Sequence, residues 1–303
     1  MNQTQTQQQT NETRGLEWVN CNYCASNVTR VIYDFQPLKI VKCKRCGLVY
    51  TNPRLELRII GERLYKDDYW KAYEKYLETS LPALQKFCKS WLDKLGNYTR
   101  AKRLKICEIG PGLGVFLAEA KKRGHEVYGI DFSKYAINFA KARFGIDTIR
   151  QGTADLIDSL GLPKMDAFVM LATIEHLQDP LSVLRKVNAC LSQEGLLLLS
   201  TGVWGSFNQI VGLKAWSIIA PQGHLYYFSK RTIRMFLEKA GFLMLTLETN
   251  SALINELTKN KLLVKLFNNP ITSLLMVPRI TQRSRLGDEM FIISRKVMPI
   301  GDS

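Results

Sequence analysis

One short stretch, residues 107–116 with the sequence CEIGPGLGVF, constrains the fold of this chain more than any other. Apolar side chains at Leu104, Ile106 and Ile109 predict a strand that runs into a glycine-rich turn, and a helix opens at Val115. Glycines let the backbone approach a ligand closely, and amides at a helix N-terminus point toward it. The stretch predicts a nucleotide-type binding site. An ordinary strand–helix turn with incidental glycines is the alternative.

The spacing of the glycines separates two classes of nucleotide. A dinucleotide-binding turn reads G-x-G-x-x-G/A, but the sixth position counted from Gly110 is Val115. The chain instead has E-x-G-x-G-x-G, with Glu108 at the end of the strand and the other glycines at Gly112 and Gly114. A carboxylate here would repel a pyrophosphate and attract a cationic amino group. S-adenosylmethionine has such a group, so the turn favours that ligand.

Strands and helices alternate from residue 104 onward, which predicts a parallel sheet with helices on both faces. The expected strands are 104–109, 126–130, 147–150, 167–171, 196–200, 243–248 and 290–294, and the expected helices are 113–123, 133–144, 180–191 and 230–240. The fold class is therefore α/β. In such a sheet the ligand lies at the carboxyl ends of the strands.

An acidic residue ends the second of these strands. Asp131 follows Gly114 by 17 residues, where a carboxylate can accept hydrogen bonds from the hydroxyls of a ribose. Ser133 is expected to cap the next helix, and Asp131 could itself serve as a turn or capping residue. Ribose binding is the favoured interpretation because of the glycine turn.

Two of the three histidines are candidates for acid–base chemistry. Glu175 and His176 follow the strand 167–171 and are expected beside the reactive end of the ligand. A histidine titrates near neutral pH and is the commonest general base. His224 lies in a later loop that could also reach the site. A structural role is the alternative for each histidine.

Four of the seven cysteines form two C-x2-C pairs, Cys21 with Cys24 and Cys43 with Cys46, separated by 18 residues. This spacing is typical of a four-thiolate zinc site. All four ligands would come from the chain, so the predicted zinc is structural. An iron site, a redox pair and a site that has lost its metal are the alternatives. The cysteine pattern and the lack of an apolar leader predict a cytoplasmic protein.

Three segments around the predicted sheet have two interpretations each. Residues 55–75 and 77–95 are predicted helices, and aromatic residues between 65 and 76 either pack the helix or cover the glycine turn as a lid. The aromatic-rich stretch 203–228 is either a substrate wall or core. Residues 250–286 form an apolar, basic insertion that either contacts a membrane surface or covers a substrate, or else packs on its own domain or at a dimer interface. The oligomeric state is left open.

The chain is basic, with a formal net charge of +15. Residues 30–105 contain 18 Lys and Arg against 8 Asp and Glu, a local excess of 10. Such an excess suits nucleic acid, an acidic membrane surface or an anionic small substrate, and solvated surface charge is the alternative. No apolar run is long enough to be a membrane span.

Taken together, residues 104–250 resemble a class I S-adenosylmethionine-dependent methyltransferase. The resemblance rests on the 108–114 turn, Asp131, Asp166 at the start of a strand, the run from Glu175 to Pro180, and the Gly-Phe pair at 241–242. With the cysteine pairs and the CGLVYTNPR sequence of residues 46–54, nearly the whole chain resembles the subgroup that has an N-terminal zinc ribbon. That subgroup includes methyltransferases acting on nucleotide-linked keto-sugars.

The resemblance implies a Rossmann-like sheet and a role for each matching residue. Glu108 and the three glycines would hold the methionine part of S-adenosylmethionine, and Asp131 would hold the ribose. The remaining cofactor contacts are expected from Phe132, Thr153, Ala154, Asp155, Leu171 and Thr173. His176 would be the base, with Glu175 and His224 as further catalytic candidates. The structural ion would be Zn²⁺ on Cys21, Cys24, Cys43 and Cys46.

The predicted organisation has five parts: a disordered tail (1–17), a zinc ribbon (18–54), a helical linker or lid (55–100), the cofactor-binding domain (101–250), and an insertion with the last strand (251–303). The predicted function is methyl transfer to a small, anionic molecule, with a nucleotide-linked sugar or another polysaccharide or secondary-metabolite precursor as the expected acceptor. An RNA- or DNA-binding protein that uses the basic ribbon, with or without methyl transfer, is the alternative.

Overall fold

The computed structural model describes residues 15–64, 67–206, 209, 218–250 and 287–297. The predicted tail over residues 1–14, the insertion up to residue 286, and the aromatic residues Phe207 and Trp216 lie outside the described residues. The described chain contains a small N-terminal unit built around the cysteine pairs and a large α/β unit. We call residues 15–55 the cysteine module.

The cysteine module is built from short antiparallel strands. They are β1 (Leu16–Glu17), β2 (Thr29–Phe35), β3 (Leu38–Cys43), β4 (Val49–Thr51) and β5 (Arg54–Leu55). Strands β2, β3 and β4 are neighbours in one sheet, and β1 pairs with β5. The turn after Cys46 requires a left-handed backbone, which Gly47 supplies at φ 83°.

Two helices connect the cysteine module to the large sheet, α1 (Leu57–Leu64) and α2 (Asp67–Gly96). The predicted boundary near residue 76 is wrong, because α2 begins at Asp67 and continues through Pro82. The hydroxyls of Thr79 and Ser80 both donate to the carbonyl of Tyr76, which supplies local polar contacts one turn before the proline. The helix buries Leu77, Cys88, Trp91, Leu92 and Leu95.

The large unit follows the predicted alternation. Its elements are β6 (Lys105–Ile109), α3 (Val115–Lys122), β7 (Glu126–Asp131), α4 (Lys134–Phe144), β8 (Ile149–Gln151), β9 (Met165–Leu171), α5 (Pro180–Cys190), β10 (Leu191–Gly202), β11 (Tyr226–Tyr227), α6 (Lys230–Lys239), β12 (Phe242–Asn250) and β13 (Glu289–Lys296). Short 3₁₀ helices cover Ala154–Ser159 and Ile174–His176. Ser133 caps α4 by accepting from the Ala136 N–H, as predicted.

Seven strands form the central sheet in the order β12-β13-β10-β9-β6-β7-β8. Neighbours from β10 to β8 are parallel, whereas β13 runs antiparallel between β10 and β12. Helices α2, α3 and α4 contribute to the core on one face, and α5 and α6 contribute to the core on the other, together with part of the cysteine module. The α/β fold with helices on both faces is confirmed, and the antiparallel β13 differs from the all-parallel expectation.

The glycine turn joins β6 to α3, and all three glycines have left-handed backbones: Gly110 at φ 71°, Gly112 at 52° and Gly114 at 81°. A Cβ on Gly114 would lie 2.9 Å from the Cβ of Ala140 on α4. The absence of a side chain at Gly114 thus allows α4 to pack against the start of α3. The turn is fixed by packing as well as by backbone conformation.

The substitution Gly114→Ala should therefore destabilise the fold more than a glycine-to-alanine substitution at another position with a similar φ. Gly124 is the matched control, since its φ is 82° and a Cβ there would meet nothing within 4 Å. Gly124→Ala should cost about 1–2 kcal/mol for the left-handed backbone alone, and Gly114→Ala at least about 1 kcal/mol more for the overlap. Equal free energies of unfolding in urea would contradict this account of the turn.

Candidate active site

Glu108 lies at the carboxyl end of β6, directly before the glycine turn. Its side chain is 3% exposed, and its Oε2 has no hydrogen-bond partner among the described residues. Burial raises the pKa of Glu108 well above its usual value, and the nearby charge of Asp131 raises it further. A buried carboxylate oxygen without a donor is costly, and a cationic ligand with N–H groups would satisfy it.

Asp131 ends β7 on the other side of the same turn. Its Oδ2 accepts from the Gly112 N–H at 3.0 Å, and its Oδ1 accepts from the Ser133 N–H at 2.8 Å. Burial raises the pKa of Asp131, and these backbone N–H groups oppose that rise. Asp131 therefore holds the glycine turn in place. Each carboxylate oxygen retains a second lone pair for a ligand hydroxyl. Phe132, the next residue, is 41% exposed.

Two further predicted segments flank this pair of carboxylates. The Gly152 N–H donates to the Asp131 carbonyl at 2.9 Å, which brings Thr153, Ala154 and Asp155 beside the end of β7. On the other side, the Thr173 side chain lies 3.0 Å from where a Cβ of Gly110 would be, and its hydroxyl donates to the Leu171 carbonyl at 3.0 Å. Thr173 thus joins the glycine turn to the chain that leaves β9.

The N-terminal part of α2 covers the glycine turn. The indole ring of Trp70 lies 3.4–3.5 Å from the position a Cβ of Gly112 would take, and its Nε1 is buried without a partner among the described residues. Tyr69 and Tyr73 contact this ring edge to face, with centroids 5.2 and 6.3 Å away. The contact is consistent with the lid interpretation of the aromatic stretch.

Glu175 and His176 follow β9 through a strained turn. Ala172 has a left-handed backbone at φ 48°, and its N–H donates to the carbonyl of Ser200 at 3.2 Å and to its hydroxyl at 3.1 Å. The turn leads into the 3₁₀ helix that carries both residues. Glu175 is 5% exposed, and its Oε2 has no hydrogen-bond partner among the described residues. The site therefore contains a second orphaned carboxylate oxygen.

The structure brings His176 and His224 together, although sequence reasoning treated them as alternatives. Their ring centroids are 4.8 Å apart. His176 Nδ1 lies 2.9 Å from the Gly223 carbonyl, and His224 Nδ1 lies 2.7 Å from the Ile218 carbonyl. A carbonyl only accepts, so each Nδ1 carries the proton and each Nε2 carries the lone pair. Burial lowers the pKa of His176, which favours the neutral, basic form.

Sequence reasoning missed Glu289, which begins β13 opposite Gly202 of β10. Burial and then the charge of Glu175 raise the pKa of Glu289 to about 7, and a hydrogen bond with Ser200 opposes the rise. The only local signal was an acidic residue before an apolar run. Its place beside Glu175 follows from the antiparallel insertion of β13, which the local pattern does not encode.

The cysteine module positions the chain that carries His224. Strand β11 joins the module's sheet as its edge, with Tyr226 opposite Tyr50 and Tyr227 opposite Val49. The Thr51 N–H donates to the Leu225 carbonyl at 2.9 Å, and the Thr51 hydroxyl donates to the His224 carbonyl at 2.8 Å. On the other side, the Leu225 N–H donates to the Glu175 carbonyl at 2.8 Å. The loop of residues 218–225, which carries His224 and which we call the histidine loop, is thus held between the module and the 3₁₀ helix.

Two more side chains of the module contact the chain just after His176. Arg54 is buried and donates to the Gln178 carbonyl at 3.1 Å. The side chain of Asn22 donates to Asp179 at 2.8 Å and accepts from the Leu181 N–H at 3.2 Å. The module therefore contacts both histidine-bearing segments through hydrogen bonds.

The four predicted metal ligands converge within the cysteine module. Their sulfur atoms all lie within 4.8 Å of one another. Cys21 and Cys46 have Sγ atoms 3.4 Å apart, and those of Cys24 and Cys43 are 3.6 Å apart. Tetrahedral zinc with bonds of about 2.3 Å would separate its sulfurs by about 3.8 Å. The donor set and its spacing fit a four-thiolate zinc site.

The methyltransferase domain family matches residues 81–247, more than half of the chain. The chain belongs to this family. The match covers the glycine turn, Asp131, Glu175, His176 and His224, and it ends before the predicted insertion. The cysteine module precedes the matched region. The subgroup with a zinc ribbon therefore stays a prediction.

Solved structures with the same fold support the assignment. An S-adenosylmethionine-dependent methyltransferase from Archaeoglobus fulgidus has a TM-score of 0.53 at 19% identity, covering 75% of this chain and all of its own. The plantazolicin methyltransferase BamL, in complex with a triazolic desmethylPZN analogue and SAH, has a TM-score of 0.54 at 15% identity, covering 79% of this chain and 93% of its own. The predicted class I methyltransferase is confirmed at the level of family and fold.

Curated relatives match part of the chain. The ubiquinone biosynthesis O-methyltransferase of Actinobacillus pleuropneumoniae is 23% identical over 150 residues, 41% of this chain and 64% of that protein. The enzyme of that name from Alkalilimnicola ehrlichii is 30% identical over 101 residues, 32% of this chain and 41% of that protein. The chain spans less than two thirds of the length of these relatives. Among the described residues, no helix has the length and apolarity to cross a membrane.

The hydrogen bond from Thr51 to the His224 carbonyl should be needed to hold the histidine loop. Thr51→Val keeps the size of the side chain and removes the donor, so residues 218–228 should exchange their amide hydrogens faster. Thr51→Ser retains a hydroxyl and should exchange more slowly in this segment than Thr51→Val does. Hydrogen–deuterium exchange by mass spectrometry measures both. Wild-type exchange in Thr51→Val would contradict the assigned role of Thr51.

Proposed function

We propose that the chain transfers a methyl group from S-adenosylmethionine to a hydroxyl group of a small, anionic acceptor. One observation carries the proposal: a buried glutamate and two imidazoles, Glu175, His176 and His224, converge next to a glycine turn that ends in a second buried glutamate, Glu108. The turn supplies a place for the methyl donor, and the cluster supplies groups that take a proton. Both parts lie at the carboxyl ends of neighbouring parallel strands, where α/β sheets bind ligands.

On the donor side, the residues fit the chemistry of the predicted cofactor. Glu108 Oε2 would accept from the cationic amino group, and Asp131 would accept from the ribose hydroxyls. The remaining contacts are assigned to Gly110, Gly112, Gly114, Phe132, Thr153, Ala154, Asp155, Leu171 and Thr173. S-adenosylmethionine supplies a methyl group on a sulfonium, which is an inherently good electrophile. The chain then has to align an acceptor oxygen with that methyl group.

On the acceptor side, the cluster would accept the acceptor's proton. Both Nδ1 atoms point at backbone carbonyls, so both Nε2 atoms are the basic nitrogens. The burial that lowers the pKa of His176 keeps its imidazole neutral and ready to accept a proton near neutral pH. We assign catalytic roles to His176, Glu175 and His224 on these grounds.

Charge and the relatives support the choice of acceptor. The net charge of +15 favours an anionic molecule. The curated relatives are named as O-methyltransferases, which supports oxygen as the acceptor atom. A nucleotide-linked sugar carries both hydroxyls and negative charge, and a phenol with an acidic substituent does as well. The screen described below contains both classes.

We also propose that Cys21, Cys24, Cys43 and Cys46 bind a structural Zn²⁺. The spacing of their sulfurs supports this assignment. Four protein ligands leave no open position on the ion, so its effect would be on folding. By stabilising the cysteine module, the ion would hold β4 in place, and with it β11 and the His224 loop.

The substitution Glu108→Gln should weaken the binding of S-adenosylmethionine by about 10- to 100-fold, because it replaces a charge-assisted hydrogen bond by a neutral one. Thermal stability should stay the same or rise, since the orphaned buried carboxylate is removed. Glu119→Gln is a matched control, because Glu119 is also buried but pairs with Lys122 on α3. Calorimetry with S-adenosylhomocysteine measures both affinities. Wild-type affinity in Glu108→Gln would refute the donor-side assignment.

A mass-spectrometric screen with S-adenosylmethionine, nucleotide-linked sugars and acidic phenols should identify the acceptor by its added methyl group. With that acceptor, His176→Ala should lower kcat by about 10²-fold or more, within the usual range for a lost general base. Its affinity for S-adenosylhomocysteine should be unchanged. His125→Ala, the third histidine, should behave like wild type. Unchanged turnover in His176→Ala would remove this residue from the mechanism.

A further inference from the structure

Glu175, His176 and His224 form a more elaborate cluster than a general base needs. One ligand atom of each residue lies within 4.8 Å of the other two. A single neutral imidazole suffices to accept a proton. Here a second imidazole and a buried carboxylate share the same space. We propose that these three residues bind a divalent transition-metal ion of the zinc type, at which the acceptor hydroxyl is bound.

The orientation of the two imidazoles supports the proposal. Each Nδ1–H donates to a backbone carbonyl, of Gly223 for His176 and of Ile218 for His224. Metal-ligating histidines almost always donate their other ring N–H in this way, which fixes the tautomer and the orientation of the ring. The two carbonyls thus prepare both Nε2 atoms as ligands. Both carbonyls also belong to the loop that the cysteine module holds through Thr51 and β11.

The carboxylate supplies an independent observation. Glu175 is buried, with 5% exposure, and its Oε2 has no hydrogen-bond partner among the described residues. No lysine or arginine of the described ranges forms a salt bridge with it. Buried charges in proteins are paired or coordinate a metal. A bound cation would neutralise Glu175 and occupy its unpartnered oxygen.

The donor set selects the kind of ion. Two imidazole nitrogens and one carboxylate oxygen form a known catalytic zinc set, whereas Mg²⁺ and Ca²⁺ prefer oxygen ligands alone. Tetrahedral bonds of about 2.1 Å separate the donors by about 3.4 Å, so side chains would have to move inward by about 1 Å. Three protein ligands leave a fourth position open, which the cysteine site does not have. That position is available to an acceptor oxygen.

The role of the ion deepens the proposed function and rests on it. An acceptor hydroxyl bound to the ion loses its proton to solvent more readily than a free hydroxyl does. Its oxygen then forms a bond to the methyl carbon of S-adenosylmethionine. The carbon–sulfur bond breaks, and its electron pair stays on sulfur, which becomes a neutral thioether. With the ion bound, both Nε2 atoms are its ligands, so the ion would activate the acceptor hydroxyl and His176 would act through the ion instead of accepting the proton itself.

The test is a metal count on the full-length chain, loaded with Zn²⁺ and passed through gel filtration. Wild type should retain two zinc ions per chain, and both His224→Ala and Glu175→Gln should retain one. His125→Ala is the matched control and should retain two. Loading with Co²⁺ separates the sites, because thiolate-to-cobalt charge-transfer absorption should persist unchanged in His224→Ala and weaken in Cys24→Ser.

One zinc ion per chain in wild type, with the same count in His224→Ala and Glu175→Gln, would overturn the metal proposal. Normal methyl transfer by that one-zinc protein would leave the proposed function intact. Two zinc ions in a chain that does not bind S-adenosylhomocysteine would support the metal site and refute the proposed function. Failure of the metal proposal can therefore be distinguished from failure of the proposed function. If Cys24→Ser does not fold, the comparison of wild type with His224→Ala and Glu175→Gln still decides the proposal.

Discussion

The pairing of β4 with β11 is the interaction on which the proposed acceptor side of this structure depends. Strand β4 belongs to the cysteine module, and β11 belongs to the loop that carries His224. The Thr51 hydroxyl and the Leu225 N–H extend this pairing to His224 and Glu175. The module therefore holds the segment that carries His224 beside the 3₁₀ helix that carries Glu175.

Two orphaned carboxylates organise the chemistry of the site. Glu108 ends β6, and Glu175 follows β9, the neighbouring parallel strand. Each is buried and has an Oε2 without a partner among the described residues. Because an unpaired buried charge is costly, each position is best explained by a cationic ligand. We propose that Glu108 binds the amino group of the methyl donor and that Glu175 binds a divalent ion.

The sequence predicts local features well here and distant contacts poorly. The alternation of strands and helices and the Ser133 cap follow from neighbouring residues, and the structure confirms them. The antiparallel β13 and the position of Glu289 depend on pairing between strands far apart in the chain. The same holds for the contact between His176 and His224, which lie 48 residues apart and meet through tertiary hydrogen bonds. No periodicity of the local sequence encodes such contacts.

The central claim is that the cysteine module holds the acceptor side while the glycine turn independently holds the donor side. Steady-state kinetics of Cys46→Ser test it most directly. Cys46 is a buried residue of the cysteine module and is distant in sequence from the glycine turn. The account predicts a lower kcat with an unchanged KM for S-adenosylmethionine. An unchanged kcat, or a KM that rises in step with the fall in kcat, would contradict it.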